Sequence, residues 1–155
     1  MIAHVLRRVG QMETLTQPPV LATDSWELVD KVTPWTGFIG HPEPLTRYVE
    51  CVGELDLADE DYVVRITGDC PGLDPKVSDA VVRLAQMSGL PYASNVRDWP
   101  DGLDTEVFKV GWLRKADKGT GGNLREHVTQ FMRLLGAPPS GPVSGVVVAR
   151  PRDGM

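Results

Sequence analysis

Cysteine is scarce: the 155 residues contain two, Cys51 and Cys70, and neither has a close-spaced partner. A secreted disulfide framework is therefore excluded, and a reducing compartment is the natural reading. Histidine is equally sparse. His4, His41 and His127 stand far from one another and from any Cys-x-x-Cys pair, so no structural zinc motif is present. No run of ~18 apolar residues occurs, and the N-terminus has no apolar signal core followed by small residues. These absences predict a soluble, cytoplasmic protein without a membrane partner. Cationic excess is also missing: 16 Lys+Arg against 21 Asp+Glu leave a formal charge of −5, which argues against nucleic acid as a partner, since duplexes reward clustered cations.

What is present describes a globular, loop-rich chain. Hydrophobic residues make up 41% and charged residues 24%, with 16 glycines and 13 prolines, a composition neither disordered nor collagen-like. One domain over residues 1–149, followed by a frayed tail at 150–155, accounts for the length. Apolar, β-branched segments alternate with segments whose apolar residues recur at helical spacing, the pattern of an α/β domain. Residues 2–9 form a short amphipathic piece, residues 19–23 read as a buried strand, and Asp24 or Ser25 caps a helix running to about Lys31. Leu45, Tyr48, Val49, Val52 and Leu55 share a helical face behind Pro44. The continuous apolar character of residues 62–66 predicts a central strand of a mainly parallel sheet. Asp74 and Pro75 open a helix carrying Val77, Val81 and Leu84. Residues 91–95 read as a short strand, Asn123 as the cap of a helix holding Val128, Phe131, Met132 and Leu135, and residues 143–149 as a last strand.

Polar residues gather where the strand at 62–66 runs into Thr67-Gly-Asp-Cys-Pro71. In parallel α/β sheets ligands bind outside the carboxyl ends of the strands. Asp69 has two readings there: a turn residue, or a ligand for Mg²⁺, which pairs one or two carboxylates with substrate phosphates. A second acidic group, Asp98, Asp101, Asp104 and Glu106, surrounds a Pro-Asp-Gly turn. It is either a solvated loop or, folded over the same end of the sheet, a source of a second ligand in Asp104. His127, near a helix start, is either a structural hydrogen-bonding residue or a donor to a hydroxyl or phosphate. Trp26, Trp35, Trp99 and Trp112 are scattered and read as packing residues rather than a base-stacking platform.

Several ordered motifs then match one family. Val63-Val-Arg-Ile-Thr-Gly-Asp-Cys-Pro71 with Asp74-Pro75, Tyr92-Ala-Ser-Asn95, Pro100-Asp-Gly-Leu-Asp-Thr-Glu-Val-Phe108 and Arg125-Glu-His-Val-Thr129 resemble the cytidylyltransferase-like family of spore-coat polysaccharide biosynthesis protein F, relatives of the CMP-sugar synthetases. His4-Val-Leu-Arg-Arg8, Val20-Leu-Ala-Thr23 and Pro44-Leu-Thr-Arg-Tyr48 resemble it upstream, in the same order, so the similarity spans most of residues 1–131. It departs in three places. Met1 falls after the Arg/Gly/Ser/Lys loop that cradles the triphosphate in family members, no late acidic segment is recognisable after Arg150, and Gly72 stands where a bulky apolar residue is usual.

The resemblance implies a Rossmann-like nucleotidyltransferase fold, a three-layer α/β sandwich shortened at its N-terminus. It implies attack of a sugar or sugar acid on the α-phosphate of CTP, or of another nucleotide, with Mg²⁺ as cofactor and pyrophosphate leaving. By the same resemblance Asp69 is the catalytic metal ligand and Asp104 its companion. Substrate contacts fall to Arg65, Thr67, Gly68, Asn95, Asp101, Gly102, Glu106, Arg125, Glu126 and His127. Without the triphosphate loop the isolated chain is expected to transfer little and to form a homo-oligomer or join a complementing chain. The alternative is a non-catalytic remnant that binds a sugar or nucleotide.

Overall fold

The computed structural model describes residues 1–96 and 99–135; the strand expected at 143–149 lies outside them. Six helices and five strands alternate along these residues. Helix α1 (Ile2–Val9) precedes strand β1 (Val20–Thr23), helix α2 (Trp26–Lys31), strand β2 (Thr36–Ile39) and helix α3 (Pro44–Glu54). Strand β3 (Tyr62–Arg65) leads to helix α4 (Pro75–Ser88), then come strands β4 (Tyr92–Ser94) and β5 (Glu106–Lys109), helix α5 (Val110–Gly119), a 3-10 helix (Gly122–Glu126) and helix α6 (Gln130–Leu135).

Local chemistry explains the boundaries. Ser25 caps α2 by accepting from the Leu28 amide, and Asp74 caps α4 through the Lys76 amide with Pro75 in the first turn. Gly89, at φ 64°, ends α4 in the left-handed region that suits a residue without Cβ. Helix α3 starts at Pro44 without a side-chain cap, because the Glu43 carboxylate is turned to Thr46 and Arg125.

The strands form two sheets. β1 and β2 pair in parallel, while β3, β5 and β4 lie in that order with antiparallel ladders. The strand read from the sequence as central in a mainly parallel sheet is thus at an edge. Its apolar continuity does serve two faces: Tyr62, Val64 and Ile66 pack with α1 and α4 around Leu73, Val81 and Val107, and Val63 packs on the other side around Leu45, Phe108 and Leu113. Helices cover both faces, giving three layers. β5 takes one edge of β3, antiparallel where a parallel neighbour was expected, and no described strand pairs with the other. The helix expected behind Asn123 is broken into the 3-10 helix and α6. Among the described residues no helix is long and apolar enough to cross a membrane.

Candidate active site

Two loops bring distant acids together. After β3, the Cys70 amide donates to the Thr67 carbonyl and the Leu73 amide to the Cys70 carbonyl, two successive turns. Cys70 and Leu73 are buried and pull the loop onto the core, leaving Asp69, just before Cys70, exposed. Before β5, the fully buried Asn95 grips the chain on both sides of Asp104. Its Nδ2 donates to the Leu103 carbonyl at 3.0 Å and its Oδ1 accepts from the Thr105 amide at 2.8 Å. Gly102, at φ 92°, makes the turn that such a loop needs. The two loops wall a pocket of about 530 Å³ lined by Thr67, Asp69, Asp101, Gly102 and Asp104 among others.

The two central acids sit in different environments. The Thr67 hydroxyl, Asp69's own amide and the Cys70 thiol favour the ionised carboxylate and hold its pKa below the ordinary range. Burial, followed by the neighbouring carboxylates of Asp101, Glu106 and Asp69, pushes Asp104 up. One Asp104 oxygen, Oδ1, is buried with no hydrogen-bond partner among the described residues. A hard divalent cation fits this donor set, because it takes oxygen ligands and would supply the charge that the orphaned carboxylate oxygen lacks. Among the described residues no three acids, cysteines or histidines cluster as a complete metal cage, and Mg²⁺ does not need one, since it keeps waters and substrate phosphates in its shell.

The raised Asp104 gives a testable stability effect. Its ionised form costs folding free energy at pH above its folded-state pKa, and that cost disappears as pH falls through it. Asp104→Asn removes the charge that burial and the neighbouring carboxylates disfavour, and should therefore be more stable than wild type at pH 7. The gap should shrink in thermal melts repeated at pH 4; a variant no more stable at pH 7 would contradict this account.

Other residues singled out in the sequence lie away from this pocket. Glu106, 2% exposed, accepts from Arg65 at 2.6 Å and Thr129 at 2.8 Å and also pairs with Tyr92 and Arg133, so its carboxylate is spent inside the fold. Arg125 uses its five N–H donors on Glu43, Thr46, the Asp117 side chain, and the Asp117 and Thr120 carbonyls, tying α3 to α5. Asn95 holds the loop rather than facing the pocket. Glu126 and His127 are exposed beyond it, and Arg65, Gly68 and Glu126 line a larger groove that meets the pocket at Thr67. The positioning role of Asn95 had one sequence signal, its place at the end of a strand entering a turn-rich acidic loop.

Comparison with solved structures gives the architecture a family context. A cytidylyltransferase from Leptospira borgpetersenii superposes with a TM-score of 0.73 and 25% identity over 84% of this chain and 58% of that one. The fold is that of a cytidylyltransferase. CMP:2-keto-3-deoxy-manno-octonic acid synthetase, solved with CTP, shares it at a TM-score of 0.63 and 14% identity over 84% of this chain and 72% of that one. In sequence, 100 residues are 34% identical to a 3-deoxy-manno-octulosonate cytidylyltransferase of Syntrophus aciditrophicus, covering 61% of this chain and 40% of that protein. A protein of the same name from Hahella chejuensis is 33% identical over 86 residues, covering 52% of this chain and 33% of its own length. The chain thus spans less than half the length of these cytidylyltransferase relatives, and no protein-family model matches it.

Proposed function

We propose that the acidic pocket at the end of β3 is the metal and acceptor site of a nucleotidyltransferase that joins a cytidylyl group from CTP to a sugar acid, as the relatives' names describe. The observation carrying the reading is the meeting of Asp69 and Asp104, 35 positions apart in the chain, in one pocket where a buried carboxylate oxygen has no partner. Asp69 and Asp104 would hold Mg²⁺, which when bound supplies charge neutralisation on the phosphate oxygens. Thr67 and Asp101 line the same pocket and offer a hydroxyl and an exposed carboxylate to acceptor hydroxyls. Asn95 orients Asp104, and Gly102 keeps the wall free of a side chain.

The order of motifs, Thr67-Gly-Asp-Cys-Pro71 and Arg125-Glu-His-Val-Thr129, favours the spore-coat polysaccharide branch, with surface-polysaccharide precursors as substrates and the cytoplasm as the setting. The pocket's described lining contains no lysine, arginine or histidine. A triphosphate brings several negative charges to an already acidic site, and within this lining only a bound divalent cation would offset them. Residues 1–155 alone should then turn over little CTP.

Mn²⁺ is the probe for the metal site. Added to ¹⁵N-labelled protein, it should broaden the amide resonances of residues 67–70, 72 and 101–105 in wild type. Asp69→Asn and Asp104→Asn should abolish the effect. Broadening centred elsewhere, or equal in both variants, would remove the basis of the proposal.

A further inference from the structure

The loop that carries Asp69 is held from one side, by helix α1. His4 and Arg8 stand four residues apart and so share a face of that helix. His4 Nε2–H donates to the Pro71 carbonyl at 3.1 Å, and Arg8 Nε–H donates to the Leu73 carbonyl. A third contact is apolar. A Cβ placed on Gly68 would stand 3.1 Å from Ile2 Cδ1, so α1 packs against the loop where any side chain would push it away. Ile2, His4 and Arg8 all lie outside the lining of the acidic pocket.

The loop has few other holds. Its own turns are closed by the Cys70 and Leu73 amides, and among the described residues every hydrogen bond joining residues 67–73 to another element goes to α1. The groups that hold the Asp69 carboxylate in its ionised form, the Thr67 hydroxyl, its own amide and the Cys70 thiol, belong to the same loop. The direction in which Asp69 points therefore follows from where the loop sits. Leu73 is fully buried, so water does not reach its carbonyl and a protein donor must satisfy it. Arg8 does so with a charge-assisted bond.

Helix α1 is a firm support. Val5, Leu6 and Val9 are buried, and just beyond the helix the Glu13 and Thr14 amides are bound by Asp79 of α4. Asp104 has an equivalent arrangement in Asn95, which grips the backbone on both sides of it. Each acid is thus aimed through its backbone by side chains that do not touch what the pocket holds.

We propose that His4 and Arg8 are positioning residues for Asp69, and that by fixing the loop on α1 they determine how tightly the pocket binds a divalent cation. The inference rests on the reading of Asp69 and Asp104 as metal ligands. Its sign separates it from simple electrostatics. Removing a cation from the neighbourhood of a metal site relieves repulsion and tightens binding, whereas releasing the loop weakens it.

Two measurements on the full chain test this. The first is Mn²⁺ affinity in wild type, His4→Ala and Arg8→Met. The second, without metal, is the alkylation rate of Cys70, a free thiol 2% exposed within the loop, relative to Cys51 on α3, 8% exposed, as the internal reference. Both variants should bind Mn²⁺ at least about ten-fold more weakly, the range seen when the groups behind a metal ligand are lost. In both, Cys70 should react at least about ten-fold faster relative to Cys51 as the loop opens locally. His4→Gln and Arg8→Lys keep a donor and should recover much of each loss. Arg7 is exposed on the same helix with no hydrogen bond to the loop, and Arg7→Met should change neither readout. Should Arg8→Met accelerate both cysteines equally, a sign of general loosening, His4→Ala at its exposed position decides by the same two readouts. Unchanged or tighter Mn²⁺ binding in the variants would overturn the proposal while leaving the metal site standing. So would an unchanged Cys70 rate, or an equal loss in Arg7→Met. Absence of Mn²⁺ binding in wild type would remove the metal reading and the proposal with it.

Discussion

Glu106→Gln should cost about 3 kcal/mol in urea unfolding at pH 7, as expected when one partner of a buried ion pair is removed. The carboxylate is 2% exposed and joins Arg65 on β3, Arg133 on α6, the Tyr92 hydroxyl on β4 and Thr129. Glutamine preserves the shape and some hydrogen bonds but leaves two guanidinium groups without their counter-charge. Burial raises the Glu106 pKa, yet Arg65 and Arg133 together pull it down further, so the net displacement is below the ordinary glutamate value. A depressed carboxyl contributes stability above its unfolded-state pKa and loses it as pH falls through the folded one. Wild type and variant should therefore converge in unfolding series carried down to pH 3. A cost unchanged between pH 7 and pH 3 would show that the charge is not what holds this network. Arg133→Gln should cost less than Glu106→Gln, because Arg133 is 42% exposed and water can replace part of what it loses.

Asp79→Ala should destabilise by about 2–3 kcal/mol through lost charge-assisted hydrogen bonds. The Asp79 carboxylate, buried on α4, accepts from the Glu13 and Thr14 amides at 3.0 Å and from the Thr14 hydroxyl at 2.6 Å. It anchors the connection between α1 and β1 to the helix. Alanine frees that connection, and the amides of residues 13 and 14 should lose exchange protection together with the drop in stability. Asp59→Ala is the contrast. Asp59 pairs with Arg114 but is 66% exposed, and exposed pairs contribute ~0–1 kcal/mol. Similar losses for both variants would mean that burial does not separate these two acids.

The contrast shows what a sequence reveals and what it hides. Helix α4 was legible because its cap, its first-turn proline and the Val77, Val81 stripe all agree. Asp79 within it reads as one more solvated acid, since nothing local shows that the chain at residue 13 returns to meet it. Glu106 was absorbed into an acidic loop for the same reason; its arginines lie 41 residues before and 27 after it. With it β5 was missed, as was β2, a four-residue strand whose apolar pattern is interrupted by Gly37. Helix α5 carries Gly111 in its first turn and Gly119 at its end, residues that weaken a helical pattern. Asp69 and Asp104 could be picked out as candidates from their places after strand-like segments. Whether Arg125 faced a ligand or the protein depended on Glu43 and Thr46, 82 and 79 residues away, which local pattern does not encode, while Asn95 turned inward on the path of the loop 8 to 10 residues on.

The hold of Asn95 on the backbone either side of Asp104 separates two properties that a loop usually mixes. The position of the acid is inherited from the end of β4 and the start of β5, while the stretch before it, through the Gly102 turn, only forms the cover. Such a cover can be lengthened, shortened or exchanged while the carboxylate stays where it is. On the proposed function, acceptor choice can then be redesigned at the bench as an interchangeable part fitted to a fixed socket.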